Sequence, residues 1–119
     1  MNLHWLFAFA LTQVIEAPIY FHALGGGPER PRIERGLLAL LPSALTHPLL
    51  WFALFPPLYQ RLGYWPAVGV AEVLVWLAEA AILLGLTRLP VHRALLWALG
   101  ANAASVVTGF ATSELFGWP

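Results

Sequence analysis

Cysteine, lysine and aspartate are absent from the 119 residues of the chain. Without cysteine the protein has no disulfide, no thiolate metal site and no cysteine nucleophile. Six arginines balance six glutamates, so the formal net charge is zero and there is no basic footprint for a nucleic acid. Charged residues make up only 10% of the chain, against about a quarter in soluble domains. With 60% hydrophobic residues, this is the composition of a membrane protein.

Four apolar segments account for nearly all of the chain, and each is about 20 residues long, enough for a helix of roughly 30 Å that crosses the hydrocarbon core. They predict an all-α, integral membrane four-helix bundle, a single domain over residues 1–119. The helices are expected at residues 3–24, 36–55, 65–86 and 93–116. The pair Pro56-Pro57 is expected to end the second helix. The first segment lacks the basic start of a signal peptide, so we expect it to remain in the mature protein.

The arginines are distributed unevenly among the predicted loops. Five of the six arginines lie in or next to the first and third predicted loops. They are Arg30, Arg32 and Arg35 in loop 25–35, Arg88 in loop 87–92, and Arg93 directly after that loop. The second loop holds only Arg61. By the positive-inside rule, the two arginine-rich loops are cytoplasmic and both termini lie outside, in a plasma membrane of the bacterial inner-membrane type. Tryptophans at the four predicted outer ends agree with an interfacial belt. They are Trp5, Trp51, Trp65 and Trp118.

The two halves of the chain show a weak internal similarity. Residues 11–19 align with residues 74–82, which places Glu16 over Glu79. Arg93 and the residues after it resemble Arg35 and the residues after it. Two copies of a helical hairpin would have the same orientation, related by an axis along the membrane normal. The sequence therefore allows two parallel repeats, although leucine-rich segments also align by chance.

Each predicted helix carries one polar stripe at helical spacing, and the stripes lie at similar depths. Four inward-facing stripes would form a single polar core. The stripes comprise Thr12, Gln13, Glu16 and Tyr20 in the first helix, Ser43, Thr46 and His47 in the second, Glu72 and Glu79 in the third, and Asn102 and Ser105 in the fourth.

Acidic residues within a membrane are costly and usually face a bundle interior, a cavity or one another. Two facing carboxyls, Glu16 and Glu79, would share a proton or hold it on one of them. His47 is a candidate to accept that proton, or to join the two glutamates in binding Zn, Mn or Fe, although their spacing matches no known metal signature. Glu72 is a further candidate, or it pairs with Arg61 nearer the outer side. The alternative is structural: protonated acids, a neutral histidine and small polar groups that join the helices.

The chain is similar to the small multidrug transporters in its size, its four predicted helices and the glutamate of its first helix, Glu16. It departs from that family in its biased loop charges, in its second midplane glutamate, Glu79, and in the His47-Pro48 pair. The chain is therefore not assigned to that family.

Three classes of function are consistent with the sequence. The first, which the midplane acids favour, is transport or conduction of a proton, a cation or a small solute, with the chain forming an oligomer to provide a pathway. The second is a non-catalytic subunit or assembly factor of a larger membrane complex. The third and least favoured is an intramembrane metalloenzyme that uses Glu16, His47 and Glu79 as ligands. The lipid bilayer is the one partner that the composition itself identifies, no nucleic acid is expected, and the sequence identifies no cofactor.

Overall fold

A computed structural model describes residues 3–117 and is helical over most of that length. Helix α1 spans Leu3–Ala23 and continues into a short 3-10 turn, Leu24–Gly26. The other helices are α2 at Arg32–Leu49, α3 at Phe55–Leu62, α4 at Tyr64–Leu86 and α5 at Val91–Phe116. A π-helical turn, Leu50–Leu54, connects α2 to α3. The prediction of an all-α four-helix membrane bundle is confirmed.

Four helical spans are long and apolar enough to cross a membrane. They are Leu3–Gly26, Arg32–Leu62, Tyr64–Leu86 and Val91–Phe116. The longest dimension of the molecule is 42 Å, close to the ~40–45 Å of a bilayer with its headgroup regions. Many large apolar side chains on the outer helix faces are exposed, as expected for surfaces that contact lipid. The protein is therefore an integral membrane protein.

The expected end of the second helix is wrong. Pro56 and Pro57 do not stop the helical path; they occupy the first turn of α3, which continues to Leu62. The N–H groups of the first helical turn have no partner within the helix, so prolines there remove no hydrogen bond, and the preceding π-helical turn joins this turn to α2 in one continuous helical span, Arg32–Leu62. The chain reverses only at Gly63, whose φ of 80° lies in the left-handed region that favours glycine.

The second helix also begins earlier than hydropathy predicts. It starts at Arg32 rather than at residue 36, so Glu34 and Arg35 lie in its first turn instead of in a loop. Pro31 precedes this turn with extended backbone, and its carbonyl accepts the N–H of Arg35 at 3.0 Å. Arginine and glutamate form helices well, so the helix extends beyond its apolar part.

Each spanning helix packs against two others. Helix α1 contacts α2 and α5, and α4 contacts α5 and α2, so the order around the bundle is α1, α2, α4 and α5. Two parallel hairpin repeats would give this order, and so would any up-and-down bundle with short loops. The repeat therefore stays a prediction.

The two ends of the bundle are packed differently. At the end formed by residues 24–31 and 87–90, a closely packed core contains Tyr20, Leu24 and Leu83, together with alanines from several helices. Small residues at these positions let the helix backbones approach closely. The arginine-rich loops meet at this end, because Arg30 Nη2 donates a hydrogen bond to the Leu86 carbonyl at 3.0 Å. The opposite end contains the cavities described below.

Candidate functional site

Glu79 of α4 is the centre of a hydrogen-bond network that joins all four spans. Its side chain is 1% exposed. Thr46 Oγ1 of α2 donates to Glu79 Oε1 at 2.7 Å, and Asn102 Nδ2 of α5 donates to Glu79 Oε2 at 2.7 Å. The hydroxyl of Tyr20, from α1, donates to the same oxygen as Asn102. Three donors thus fill three of the roughly four acceptor positions of this carboxylate.

Glu16 of α1 has a separate partner. Ser43 Oγ of α2 donates to Glu16 Oε2, and both side chains are almost completely buried. Glu16 and Glu79 border the same cavity of about 60 Å³ between the helices. A space of this size holds one or more water molecules where polar groups line it. The two glutamates that the sequence places in one polar core therefore border one small polar cavity.

His47 borders this cavity as well, but it takes no part in the hydrogen-bond network. Its ring lies among Phe9, Trp51 and Trp5, with ring centroids 5.4, 6.0 and 6.3 Å away. Its Nε2 atom is buried and has no hydrogen-bond partner among the described residues. The neighbouring Thr46, rather than His47, contacts Glu79. The imidazole is held mainly by aromatic contacts.

Glu72 of α4 differs from the two deeper acids in having no partner. No hydrogen bond or ion pair joins its carboxyl to another residue within 3–117, and Arg61 is not its counter-ion. Its side chain is only partly buried. The alternative that Glu72 pairs with Arg61 is therefore wrong. A carboxyl within a membrane span that has no protein partner needs water, a proton or a bound cation.

Two cavities meet beside Glu72. A larger one of about 330 Å³, which we call the vestibule, lies at the α3–α4 end of the bundle and opens to the surroundings. All four spans contribute to its wall, so it follows the bundle axis. The vestibule and the 60 Å³ cavity share four lining residues: Thr12, Glu72, Ser105 and Val106. Ser105 Oγ donates to Thr12 Oγ1 at 3.4 Å between them.

Positions along the helices give the order of these features from the open end inwards. On α4, Tyr64 and Val68 line the vestibule, Glu72 lies at the junction, Glu79 borders the inner cavity and Leu83 belongs to the packed core. On α5, the same order runs backwards from Ser113 through Ser105 and Asn102 to Ala98. The residues that line the cavities thus extend from the α3–α4 end of the bundle to about its middle, where the packed core begins.

The remaining predicted site residue, Gln13, lies outside this arrangement. Its Nε2 donates to the Leu40 carbonyl at 3.1 Å, a contact between α1 and α2, and it lines neither cavity. Sequence reasoning did not identify the aromatic wall of the vestibule. Trp51 and Phe55 are four residues apart, which places them on one helix face, but apolar residues at this spacing in a membrane segment normally indicate lipid contact.

No metal centre is formed by Glu16, His47 and Glu79. Within residues 3–117, no group of three or more histidine, cysteine, aspartate or glutamate side chains is arranged to hold a metal ion. The reason is that His47 is surrounded by aromatic rings, while Glu16 and Glu79 are bonded to hydroxyl and amide donors. Glu16, His47 and Glu79 therefore do not form the set of metal ligands that the metalloenzyme hypothesis requires.

Comparison with protein-family models, with curated proteins and with solved structures gave no match.

Proposed function

We propose that this membrane protein moves protons through the bundle, alone or in exchange for a cation or small solute, with Glu72 as the first acid reached from the open end. The observation that carries the proposal is the position of Glu72, an unpartnered carboxyl at the junction of the vestibule and the inner cavity. Glu79 and Glu16 lie next along the path, within reach of water in the inner cavity. Intramembrane acids that face a cavity are the usual groups of proton relays.

Because the core at the far end of the bundle is closely packed, transport through the bundle requires a conformational change. Tyr20 and Leu83 are completely buried there, so the path is closed beyond Glu79. Transport requires a second conformation in which this end opens and the vestibule closes, as in alternating access. The π-helical turn Leu50–Leu54 is a suitable place for the bending, because π-helical turns interrupt regular helical bonding and often occur at functional sites.

The proposed orientation puts the vestibule outside. Loops 25–35 and 87–92 would lie in the cytoplasm and both termini outside, in an inner membrane of the bacterial type. Labelling tests this directly, because the chain has no cysteine of its own. In intact cells, a membrane-impermeant maleimide should label the exposed position of Gln60→Cys and leave Arg88→Cys unlabelled until the membrane is broken. The reverse pattern would overturn the orientation.

Proton flux into proteoliposomes tests the function. With a pH gradient and an internal pH dye, Glu72→Gln should lower the flux roughly tenfold or more, because the substituted amide cannot carry a proton. Glu114→Gln is the matched control, since Glu114 is an exposed acid of α5 that lines neither cavity. Equal flux through both variants and the parent, or no flux through the parent under any gradient, would overturn the proposal.

Association with other chains stays a prediction of the sequence. A homo-oligomer would give each protomer its own vestibule, and a larger complex would leave the bundle as a non-catalytic subunit. Mass measurement of the protein purified in mild detergent separates the two, since a complex brings a stoichiometric second chain and a homo-oligomer does not.

A further inference from the structure

The end of the bundle at which the packed core lies, which we call the closed end, has an excess of positive charge. Five of the six arginines lie in loops 25–35 and 87–92 or directly after them. The same segments contain only two acids, Glu29 and Glu34. The opposite end has one arginine, Arg61 of α3. The charge of the protein is therefore distributed unevenly along the bundle axis, and an anion would be attracted to the closed end.

Arg30 lies between the two loops and has donor capacity left over. Its side chain is only 16% exposed, its Nη2 donates to the Leu86 carbonyl at 3.0 Å, and its Nε lies 3.8 Å from Glu34 Oε1. Its Nη1 is buried and has no hydrogen-bond partner among residues 3–117. A buried donor without an acceptor is costly. An oxyanion would provide that acceptor where the exposed side chain of Glu34 moves aside.

Two further arginines lie close to Arg30. Arg32 follows it by two residues, and Arg88 follows Leu86, its hydrogen-bond partner, by two residues. Two residues span at most about 7 Å of chain. The side chains of Arg32 and Arg88 are exposed, and neither guanidinium has a hydrogen bond or an ion pair in the described part of the chain. These three residues, which we call the arginine cluster, therefore offer unused guanidinium groups, whose planar geometry matches a phosphate.

An apolar stripe begins directly beside the arginine cluster. Ile33, Leu37 and Leu40 lie on one face of α2, because they are spaced by four and three residues. Their side chains are 81%, 64% and 39% exposed. A free phosphate ion would not contact this stripe, whereas an acyl chain attached to a phosphate at the cluster would lie along it. The headgroup and the chain of a phospholipid thus each meet a complementary surface.

We propose that the arginine cluster binds the phosphate of an anionic phospholipid in the leaflet at the closed end, with an acyl chain along the apolar stripe of α2. Basic sites beside transmembrane helices bind anionic headgroups in this way. The excess of arginines selects against a zwitterionic headgroup, whose ammonium group would be repelled. The site lies at the end opposite the vestibule, so this inference does not rest on the proposed function.

Lipids that differ only in their headgroups test the binding without any mutation. Phosphatidylglycerol and phosphatidylcholine with the same acyl chains are added to the full chain in detergent. Thermal unfolding and native mass spectrometry follow the binding. Phosphatidylglycerol should bind saturably and raise the unfolding temperature, and phosphatidylcholine should need about tenfold more lipid for the same effect. Equal binding of the two lipids, or no saturable binding of phosphatidylglycerol, would overturn the inference.

A soluble headgroup separates a lipid site from a site for free phosphate compounds. Glycerol 1-phosphate carries the phosphate but no acyl chain, so it should leave the unfolding temperature unchanged at concentrations at which phosphatidylglycerol saturates. The same rise with glycerol 1-phosphate would show that the phosphate alone is the ligand, and it would overturn the assignment to a lipid.

Variants of the arginines provide the second measurement. Arg88→Gln should weaken phosphatidylglycerol binding about fivefold, the effect of one arginine near an anionic surface. The guanidinium of Arg88 contacts no other residue within 3–117, so the fold should stay intact, and unfolding without lipid checks this. Arg30→Gln should weaken binding at least as much. Arg61→Gln is the matched control, because it removes the same charge from an exposed arginine at the opposite end.

The control separates a defined site from a general effect of charge. If Arg61→Gln weakens binding as much as Arg88→Gln, the lipid responds to net charge and the assignment to the arginine cluster is wrong. If Arg88→Gln binds phosphatidylglycerol as tightly as the parent, Arg30 only closes the end of α4 and the inference is overturned as well.

Discussion

Thr46 on α2 donates a hydrogen bond of 2.7 Å to Glu79 on α4, whereas the next residue, His47, has a buried ring nitrogen with no hydrogen-bond partner among residues 3–117. Neighbouring positions of one helix point about 100° apart, so adjacent polar residues have different surroundings. Thr46 faces the acid network, and His47 faces aromatic rings. The two residues therefore make opposite predictions on substitution.

Thr46→Val should destabilise the bundle. Valine has nearly the shape of threonine but leaves one oxygen of Glu79 without its α2 donor, and a buried acceptor that loses its partner costs about 1–3 kcal/mol, with interhelical bonds in membranes nearer ~0.6 kcal/mol. Thermal unfolding in detergent measures the loss. Thr108→Val is the matched control, because the Thr108 hydroxyl bonds only to the Ala104 carbonyl of its own helix. Equal effects of the two substitutions would contradict the network.

His47→Phe should leave stability unchanged or raise it. Phenylalanine fits among the rings of Trp5, Phe9 and Trp51 and removes a buried polar atom that has no partner in the described part of the chain. Unfolding temperature and proton flux are the measurements, with the exposed His92→Phe as control. Loss of flux in His47→Phe alone would show that the imidazole itself participates in proton transfer.

Arg35→Lys should weaken the closed end of the bundle while preserving the charge that sets orientation. Arg35 Nε donates to the Phe21 carbonyl at 2.6 Å, and its guanidinium lies 4.2 Å from the centroid of the Phe21 ring. Lysine cannot reproduce this planar arrangement, so we expect a loss of about 1 kcal/mol. Unfolding curves provide the comparison with Arg32→Lys, whose residue is exposed. A larger loss in the Arg32 variant would refute this role.

Gly27→Ala should separate the two arginine-rich loops. A Cβ at Gly27 would lie 3.1 Å from the Leu86 carbonyl oxygen and 3.1 Å from the Thr87 Cα, both backbone atoms that cannot turn aside. Gly36→Ala is the control, since a Cβ there meets nothing within 4 Å and alanine favours a helix. Proteolysis at the loops and thermal unfolding should show Gly27→Ala less stable than the parent and Gly36→Ala equal or more stable. Identical behaviour would contradict the close approach.

Hydropathy predicted the helices well where the apolar residues alone define them. The third and fourth expected helices, 65–86 and 93–116, differ from α4 and α5 by one and two residues at their starts. The second differs at both ends, because charged residues after Pro31 are helical and Pro56 and Pro57 begin a helix rather than end one. A hydropathy pattern measures the transfer of side chains into lipid, and it does not register backbone conformation beyond the apolar part.

The interior position of the polar stripes also followed from the sequence, because an acid such as Glu16 or Glu79 is too costly to expose to lipid. The hydrogen-bond partners of these side chains could not be predicted from the sequence. The hydrogen-bond partners depend on the rotation and separation of the helices, which the periodicity of a single helix cannot define. Asn102 and Tyr20 donate to Glu79, and Ser43 donates to Glu16. His47 donates to neither acid within the described residues.

The sequence by itself determined a four-helix membrane protein with its acids inside, since the free energy of placing each residue in lipid is a property of that residue and its neighbours along the chain. Only the tertiary structure decided that Glu72, unlike Glu16 and Glu79, has no partner among residues 3–117 and lies at the junction of an aromatic vestibule and a polar cavity. A cavity is the space that packed side chains of several helices leave unfilled, so its position depends on contacts between residues distant in the chain.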